Sequence, residues 1–207
     1  MPQPRRPAEP ARSLASLAAE VRACTHCAAD LPLGPRPVIQ VGSRARILVA
    51  GQAPGTRVHA SGLPFDDPSG DLLRHWMGID RKVFYDPGRI NIIPMGFCYP
   101  GRGGGGDLPP HPACRALWHD RLMATLPKQA LILAIGAYAQ AYHLGPARGR
   151  TLADTVQNWR SHLANGILPM PHPSPRNRLW LKRNRFFEEE VVPVLQQKVA
   201  SVLYPSP

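Results

Sequence analysis

The chain of 207 residues has few acidic side chains and no long apolar run. Its 14 Asp and Glu face 25 Lys and Arg, which gives a formal net charge of +11. This excess suits a polyanionic partner, although an unpartnered basic surface would show the same charge. No apolar stretch approaches the roughly 20 residues that cross a bilayer. We therefore expect the protein to be cytoplasmic and to make no contact with a membrane.

Cysteine is also scarce, with four in the chain. In an intracellular protein, so few cysteines are more often reduced, catalytic or metal-bound than paired in disulfides. The length and the 43% hydrophobic content are enough for one sizeable core and too little for two. We expect a monomer with a single domain over residues 13–203. Residues 1–12, rich in Pro, Arg and Ala, should be a disordered basic leader.

Four short apolar runs alternate with helical patterns along the chain. The runs are residues 46–50, 90–95, 130–135 and 166–170, and the helical patterns are clearest over 13–21, 69–77 and 114–126. Continuous apolar strands are typical of a parallel sheet that is covered on both faces. The sequence therefore predicts an α/β fold, a three-layer α/β/α sandwich with a central, mostly parallel four-stranded sheet. Ligand chemistry is expected at the carboxyl ends of the strands.

Glycine and proline predict two irregular places. Residues 101–110, GRGGGGDLPP, should form a loop because Gly is too flexible for regular structure and Pro lacks an amide donor. Pro193 should kink or split the last helix, expected over residues 185–202.

Two motifs follow the first and the last predicted strand. Residues 51–55, GQAPG, make a tight turn, and this turn lacks the spacing of a phosphate-binding P-loop or a dinucleotide fingerprint. Residues 171–177, PHPSPRN, hold His172 in a loop stiffened by prolines. Rigid presentation of a histidine suits a catalytic electrostatic group. Taken alone, each motif would be better explained as a structural turn.

Together, these two motifs resemble the signature motifs of the uracil-DNA glycosylase superfamily, a group of base-flipping DNA-repair enzymes. Residues 62–73, GLPFDDPSGDLL, are similar to the segment of that superfamily that presents a base-stacking phenylalanine, and Phe65 matches it. The cysteine pattern, Cys24-x-x-Cys27 followed by Cys98 and Cys114, resembles the iron–sulfur enzymes of families 4 and 5.

The resemblance implies a DNA glycosylase that flips out uracil or a related deaminated base and hydrolyses its N-glycosidic bond. It implies that His172 donates a hydrogen bond to the base oxygen on which negative charge develops. Phe65 would stack on the base, with Ala53 and Met95 as further base-binding residues. The residues expected against DNA are Pro173, Ser174, Arg176 and Asn177.

Two departures from the family 4 pattern affect the chemistry. Gln52 stands where family 4 carries glutamate, and glutamine can hold a water but cannot accept its proton. One possibility is that stabilisation of the leaving base is enough for catalysis. The other is that Asp66 or Asp67 supplies the missing carboxylate. The catalytic candidates are therefore His172, Gln52 and Asp67. Both aspartates also suit turn formation and helix capping. Residues 93–96 replace the family 4 segment whose asparagine reads the base.

Several alternatives stay open at this point. The four cysteines could hold a [4Fe–4S] cluster, our first hypothesis, a structural zinc ion, or nothing. The missing acid favours a second function, that of a non-catalytic or weakly active relative that binds damaged DNA. Covalent capture of the abasic product is a third.

Overall fold

A parallel β-sheet forms the centre of the computed structural model, which describes residues 13–205. Four strands pair in the order β2-β1-β5-β6, all parallel, and the other two strands form a small antiparallel hairpin. The strands are β1 (Ile47–Ala50), β2 (Ile90–Ile92), β3 (Arg102–Gly103), β4 (Gly106–Asp107), β5 (Leu131–Ile135) and β6 (Ile167–Met170). The predicted four-stranded sheet is confirmed. The predicted leader, residues 1–12, lies outside the described residues.

Helices cover the sheet. They are α1 (Leu14–Arg22), α2 (Thr56–Ser61), α3 (Pro68–Met77), α4 (Arg81–Phe84), α5 (Pro112–Cys114), α6 (Asp120–Thr125), α7 (Gly136–Leu144), α8 (Leu152–Gln157), α9 (Trp159–Ala164), α10 (Arg178–Arg183) and α11 (Val192–Leu203). A π-helical turn joins α5 to α6, and another precedes α11. Across residues 13–205, no helix has the length and apolar character needed to cross a membrane.

The two faces of β1 show how the sandwich is built. Val49 points into a core cluster that includes Trp76 of α3. Leu48 points to the opposite face, where it packs with Leu17 of α1 and Leu122 of α6. Successive side chains of a strand point to opposite faces, so a strand that is apolar throughout needs helices on both sides. This arrangement confirms the predicted α/β/α layers.

The glycine-rich stretch at residues 101–110 is more regular than expected. β3 and β4 form an antiparallel hairpin in which Arg102 pairs with Asp107 and Gly103 pairs with Gly106. The prediction of an irregular loop was therefore wrong in its central part. Gly106 has a φ of 135°, which glycine adopts freely and other residues rarely do, so glycine here permits strand pairing instead of preventing it.

Proline coincides with an irregular turn near the end of the chain. Pro193 lies in the first turn of α11, directly after the π-helical turn Phe187–Val191. Proline lacks the amide donor of a regular helix, and the widened turn before it accommodates that loss. Val191 and Val192 keep right-handed helical dihedral angles, so the last helix is not split, and its departure from regular α geometry is the π-helical turn.

The turn before α3 is tightly packed. Phe65 has a φ of 55°, in the left-handed region that side chains other than glycine rarely adopt. A Cβ built on Gly70 would overlap the carbonyl oxygen of Phe65. Arg74 of the same helix donates from Nη1 to that oxygen at 3.4 Å. Gly70 thus allows α3 to hold Phe65 in its strained conformation.

We predict that Gly70→Ala lowers the free energy of unfolding by at least about 2 kcal/mol, because the new methyl group meets backbone that cannot yield cheaply. Chemical denaturation measures this loss. Gly104→Ala is the matched control, since a Cβ there meets nothing within 4 Å. Equal stability of the two variants would contradict the proposed packing.

Candidate functional site

A pocket opens where β1 and β6 end, at the carboxyl edge of the sheet. It holds about 410 Å³ of empty space up to its open mouth. The predicted site residues that line it are Gln52, Ala53, Phe65, Asp67 and His172. The two motifs lie far apart in sequence, and the parallel topology brings both to this edge.

Phe65 forms one wall of the pocket. Its Cζ would lie 3.1 Å from a Cβ built on Gly51, the residue that follows β1. The ring also meets Phe84 edge to face, with 6.2 Å between the centroids. The absence of a side chain at Gly51 therefore lets the ring lie against the end of the strand. A fixed aromatic ring in a pocket offers a stacking surface for a planar heterocycle.

Backbone hydrogen bonds hold the first motif in place. The carbonyl oxygens of Gly51 and Gln52 accept from the amides of Met95 and Gly96, both at 2.8 Å. The Gln52 side chain donates from Nε2 to the carbonyl of Leu108 at 2.9 Å. Its amide nitrogen is therefore engaged, and Oε1 is the atom left to hold a water.

His172 enters the pocket from the loop after β6. Burial lowers the pKa of its imidazole, and the nearby carboxylates of Asp67 and Asp107 oppose this shift only in part. The ring is therefore neutral at neutral pH, with one N–H to donate. Asn177 donates from Nδ2 to the His172 carbonyl at 2.7 Å, which fixes the loop.

The two neighbouring aspartates have different roles. Asp66 accepts a hydrogen bond from Nη2 of Arg81 at 2.9 Å, which holds the pKa of its carboxyl below the usual value. Asp66 is not among the residues that line the pocket. Asp67 does line it, while its Oδ1 accepts from the amide of Gly70 at 2.9 Å and caps α3. Only Asp67 combines the predicted capping role with a place at the site.

The structure does not bring Met95 to the pocket. Its side chain is buried in a small core cluster with residues of β1, β5 and α7. Ile92 and Pro94 line the pocket from this segment instead. The side chains of a strand alternate, so a segment that continues β2 turns position 94 toward the pocket and position 95 away. Asn91 is fully buried in β2, and its Oδ1 accepts from the amide of Gly42 at 2.8 Å.

Two histidines, the buried His119 and the partly buried His143, were not anticipated from the sequence. The Nε2 of His119 lies 3.2 Å from the carbonyl oxygen of Met95, so it donates there, and its ring stacks on Phe97 at 5.1 Å. Burial lowers the pKa of both His119 and His143 to about 4. His119 supports the segment that supplies one side of the pocket.

Arginines line two grooves beside the pocket. Arg57, Arg102 and Arg176 line the groove nearer to the motifs. The wider groove runs along α10, and its basic residues are Arg178, Lys182 and Arg185. The residues expected against DNA divide accordingly. Ser174 and Arg176 line the grooves, whereas Pro173 is buried and the Asn177 amide bonds within its own loop.

The four cysteines line one cavity. They come from the segment after α1, the loop after β2 and the end of α5, and they are Cys24, Cys27, Cys98 and Cys114. Burial raises the pKa of the Cys27, Cys98 and Cys114 thiols, the last to about 11. Within residues 13–205, no three or more His, Cys, Asp or Glu side chains are grouped closely enough for a single metal ion.

Two further groups contact these thiols. The amide of Phe97 donates to Cys114 Sγ at 3.5 Å. His111 places Nδ1 3.2 Å from Cys27 Sγ, and its Nε2 lies 3.4 Å from Asp30. The Phe97 hydrogen bond stabilises the Cys114 thiolate, which is the form that binds metal. His111 Nδ1 accepts from the Ala113 amide, so it does not donate to Cys27.

Fold and site together define an α/β/α protein that can hold a planar ligand between an aromatic ring and a neutral histidine, beside arginine-lined grooves. A comparison with known protein families matches residues 39–196 to the uracil DNA glycosylase superfamily. The chain belongs to that superfamily, whose members are DNA glycosylases. The match includes both motifs and Phe65, and it begins after Cys24 and Cys27.

We predict that acid destabilises the protein through His119 and His143. Below pH 6.5 the unfolded chain binds protons at these rings, and the folded chain does not do so until about pH 4. The contribution of these two rings to the free energy of unfolding is fully present above pH 6.5. As the pH falls from 6.5 to about 4, this contribution decreases by about 1 kcal/mol per pH unit for each histidine. Denaturation curves across this range measure the slope.

His143→Gln should make this slope shallower, because one of the two rings with a lowered pKa is removed. The control is His75→Gln, which removes an exposed histidine and should leave the slope unchanged. Identical slopes for the wild type and His143→Gln would contradict the assignment.

Proposed function

We propose that this protein is a DNA-repair glycosylase that flips uracil or a related deaminated base out of DNA and hydrolyses its N-glycosidic bond. The observation that carries the proposal is the meeting of His172 and Phe65 in one pocket bordered by basic grooves. A base inside a duplex cannot reach such a pocket unless its nucleotide rotates out of the stack. We also propose that the enzyme acts as a monomer.

The pocket selects the base by stacking and by shape. The flipped base lies against Phe65, and the backbone of Ala53 closes the opposite side near the base carbonyls. Pro94 and Ile92 take the place that the sequence suggested for Met95. None of these residues offers a side-chain hydrogen bond that would identify one particular base, which is why hypoxanthine and xanthine belong in the substrate panel beside uracil.

The chemistry requires stabilisation of two opposite charges. As the bond from C1′ to the base nitrogen breaks, its electron pair moves to the base and leaves positive charge on the sugar. The neutral His172 ring donates its N–H to the base oxygen that becomes negative. The Asp67 carboxylate, fixed by its hydrogen bond from Gly70, lies on the side where the sugar becomes cationic. Gln52 Oε1 is placed to hold a water.

The basic grooves bind the DNA backbone on either side of the flipped nucleotide. Arg176 and the basic face of α10 contact phosphates, and Ser174 and Pro173 shape the loop that enters the space left by the base. Asn177 contributes indirectly, because its bond to the His172 carbonyl keeps this loop rigid.

The cysteine cavity fits a [4Fe–4S] cluster of the kind that some members of the superfamily carry. All four thiols face one cavity, thiolate sulfur is the preferred ligand of iron–sulfur clusters, and the Phe97 amide already donates to Cys114. Cys24, Cys27, Cys98 and Cys114 would hold the cluster, and these ligands would tie the end of α1 to the loop after β2. Zinc is the competing occupant, because four thiolates suit it as well.

A second function, binding of damaged DNA without catalysis, is favoured by one observation. Gln52 replaces the expected acid, and its side chain is tied to Leu108. In such a relative, the pocket would bind a flipped base and release it unchanged.

We predict that the wild-type protein releases uracil or another deaminated base from DNA and that His172→Ala lowers single-turnover excision by about 100-fold to 1000-fold. His172→Gln should recover part of the rate, because an amide N–H can still donate. The substrates are single- and double-stranded oligonucleotides that contain uracil, hypoxanthine or xanthine. His75→Gln serves as the control for loss of a histidine outside the pocket.

Two results would count against this assignment. Damaged DNA that is bound but never cut would favour the binding relative. Undiminished excision by His172→Ala would remove His172 from the mechanism even if the enzyme is active.

We predict that the purified protein is brown, absorbs in the blue part of the visible spectrum and contains about four iron atoms per chain, as a [4Fe–4S] cluster requires. Cys98→Ala should abolish the colour and the bound iron. Elemental analysis and absorption spectroscopy check both outcomes. A colourless preparation that contains zinc would show that the cavity holds the other metal.

A further inference from the structure

Asp107 is a carboxylate beside the pocket to which the chemistry above gives no role. It ends β4, opposite Arg102, and lines the arginine-lined groove nearer to the motifs (the inner groove) together with Asp67 and Gly55. Its Oδ2 would lie 3.6 Å from a Cβ built on Gly55, the last residue of the first motif. The glycine-rich hairpin therefore brings an acid to the motif that lacks one.

Asp107 lies where the sugar of a bound nucleotide would be expected. Gly55 and Asp67 line both the base pocket and the inner groove, so they mark the boundary between the two. A base in the pocket and its phosphate in the groove place the connecting sugar at this boundary. Asp107 lies over Gly55 on the groove side. A nucleotide bound in this way would place its C1′ atom between the carboxylates of Asp67 and Asp107.

The two carboxylates differ in the hydrogen bonds that they already accept. Asp67 uses Oδ1 to cap α3. Within the part of the chain that the structure describes, the Asp107 side chain has no hydrogen-bond or ion-pair partner. Both carboxylates are close enough to His172 for their charge to raise the pKa of its imidazole. Asp107 is therefore an unengaged acceptor that faces the catalytic histidine across the boundary.

Gln52 ties the hairpin to the first motif. Its amide nitrogen donates to the carbonyl of Leu108, the residue directly after Asp107. The Leu108 amide in turn donates to the Gly101 carbonyl at 2.9 Å and closes the base of the hairpin. Gln52 cannot accept a proton, but this bond fixes the position of the residue that can.

We propose, resting on the glycosylase function above, that Asp107 is the general base for the attacking water. The water oxygen bonds to C1′ as the bond from C1′ to the base nitrogen breaks. The electron pair of that bond leaves with the base, on which His172 stabilises the negative charge. The water proton passes to the Asp107 carboxylate and from there to solvent, while Asp67 keeps its charge and stabilises the cationic sugar.

The charged groups around Asp107 suit this role. Arg57 from α2, Arg102 from β3 and Arg176 from the loop after β6 line the same groove. Arg176 Nη1 would lie 2.9 Å from a Cβ built on Gly106, so it reaches over the hairpin. When phosphate occupies the arginines, Asp107 is left to act on water instead of forming an ion pair.

Asp107→Asn tests the proposal, with Asp107→Glu as the conservative variant. Single-turnover excision should fall by about 100-fold in Asp107→Asn and recover in part in Asp107→Glu, which keeps a proton acceptor. The acidic limb of the pH–rate profile should disappear in Asp107→Asn. Affinity for an oligonucleotide that carries uncleavable 2′-fluorinated deoxyuridine should stay within about twofold of the wild type.

Asp86→Asn is the matched control. It makes the same change of charge in a turn outside the pocket and both grooves, and asparagine can still accept the hydrogen bond that Asp86 receives from the Gly88 amide. This variant should keep the rate, the affinity and the pH profile of the wild type.

Three results would overturn the proposal. If Asp107→Asn keeps its rate and its acidic limb, the general base lies elsewhere and the glycosylase function stands. If binding or thermal stability falls as far as the rate does, Asp107 has a structural role. If the wild type releases no base from any substrate of the panel, the glycosylase function fails and the assignment of a general base fails with it.

Discussion

The close approach of Phe65 to Gly51 is the contact on which the rest of the site depends. A side chain at Gly51 would meet the ring, and one at Gly70 would meet the Phe65 backbone. These two glycines let α3 dock against the end of β1 with an aromatic ring between them. The same docking places Asp67, the cap of α3, at the mouth of the pocket. A strained turn paid for by tight packing thus positions a stacking surface and a carboxylate together.

The neutral, acidic and basic side chains of the site lie at different distances from the sheet. Deep in the pocket, burial keeps His172 neutral, so it offers a hydrogen bond without introducing a charge of its own. Carboxylates lie at the boundary between the pocket and the inner groove, and arginines line both grooves. In the proposed reaction each group would stand where the charge that it stabilises appears, and such preorganised electrostatics account for much of catalysis in general.

The sequence predicted the parts of the molecule in which local pattern and tertiary structure agree. The four apolar runs became the four parallel strands, and His172 and Phe65 reached the pocket because parallel strands end at one edge. The sequence predicted Met95 in the pocket, whereas its neighbour Pro94 lines the pocket and Met95 lies in the core. Which side chain faces the pocket depends on how the chain bends after β2, and the sequence does not show this bend. His119 could not be identified, because a buried histidine in a helix has no sequence pattern that separates it from an exposed one.

The hairpin links the cysteine cavity to the pocket. Cys98 and Cys114 bracket the segment that contains β3 and β4, and Gln52 holds the same segment from the other side through Leu108. A group that bound both cysteines would close this segment into a loop and reduce the number of conformations open to it. The flexible glycines of the hairpin make such a restraint useful, because the proposed general base, Asp107, would have to keep its distance from C1′ to within a fraction of an ångström during reaction. The cysteines, which lie outside the chemistry, would then govern how precisely it is performed.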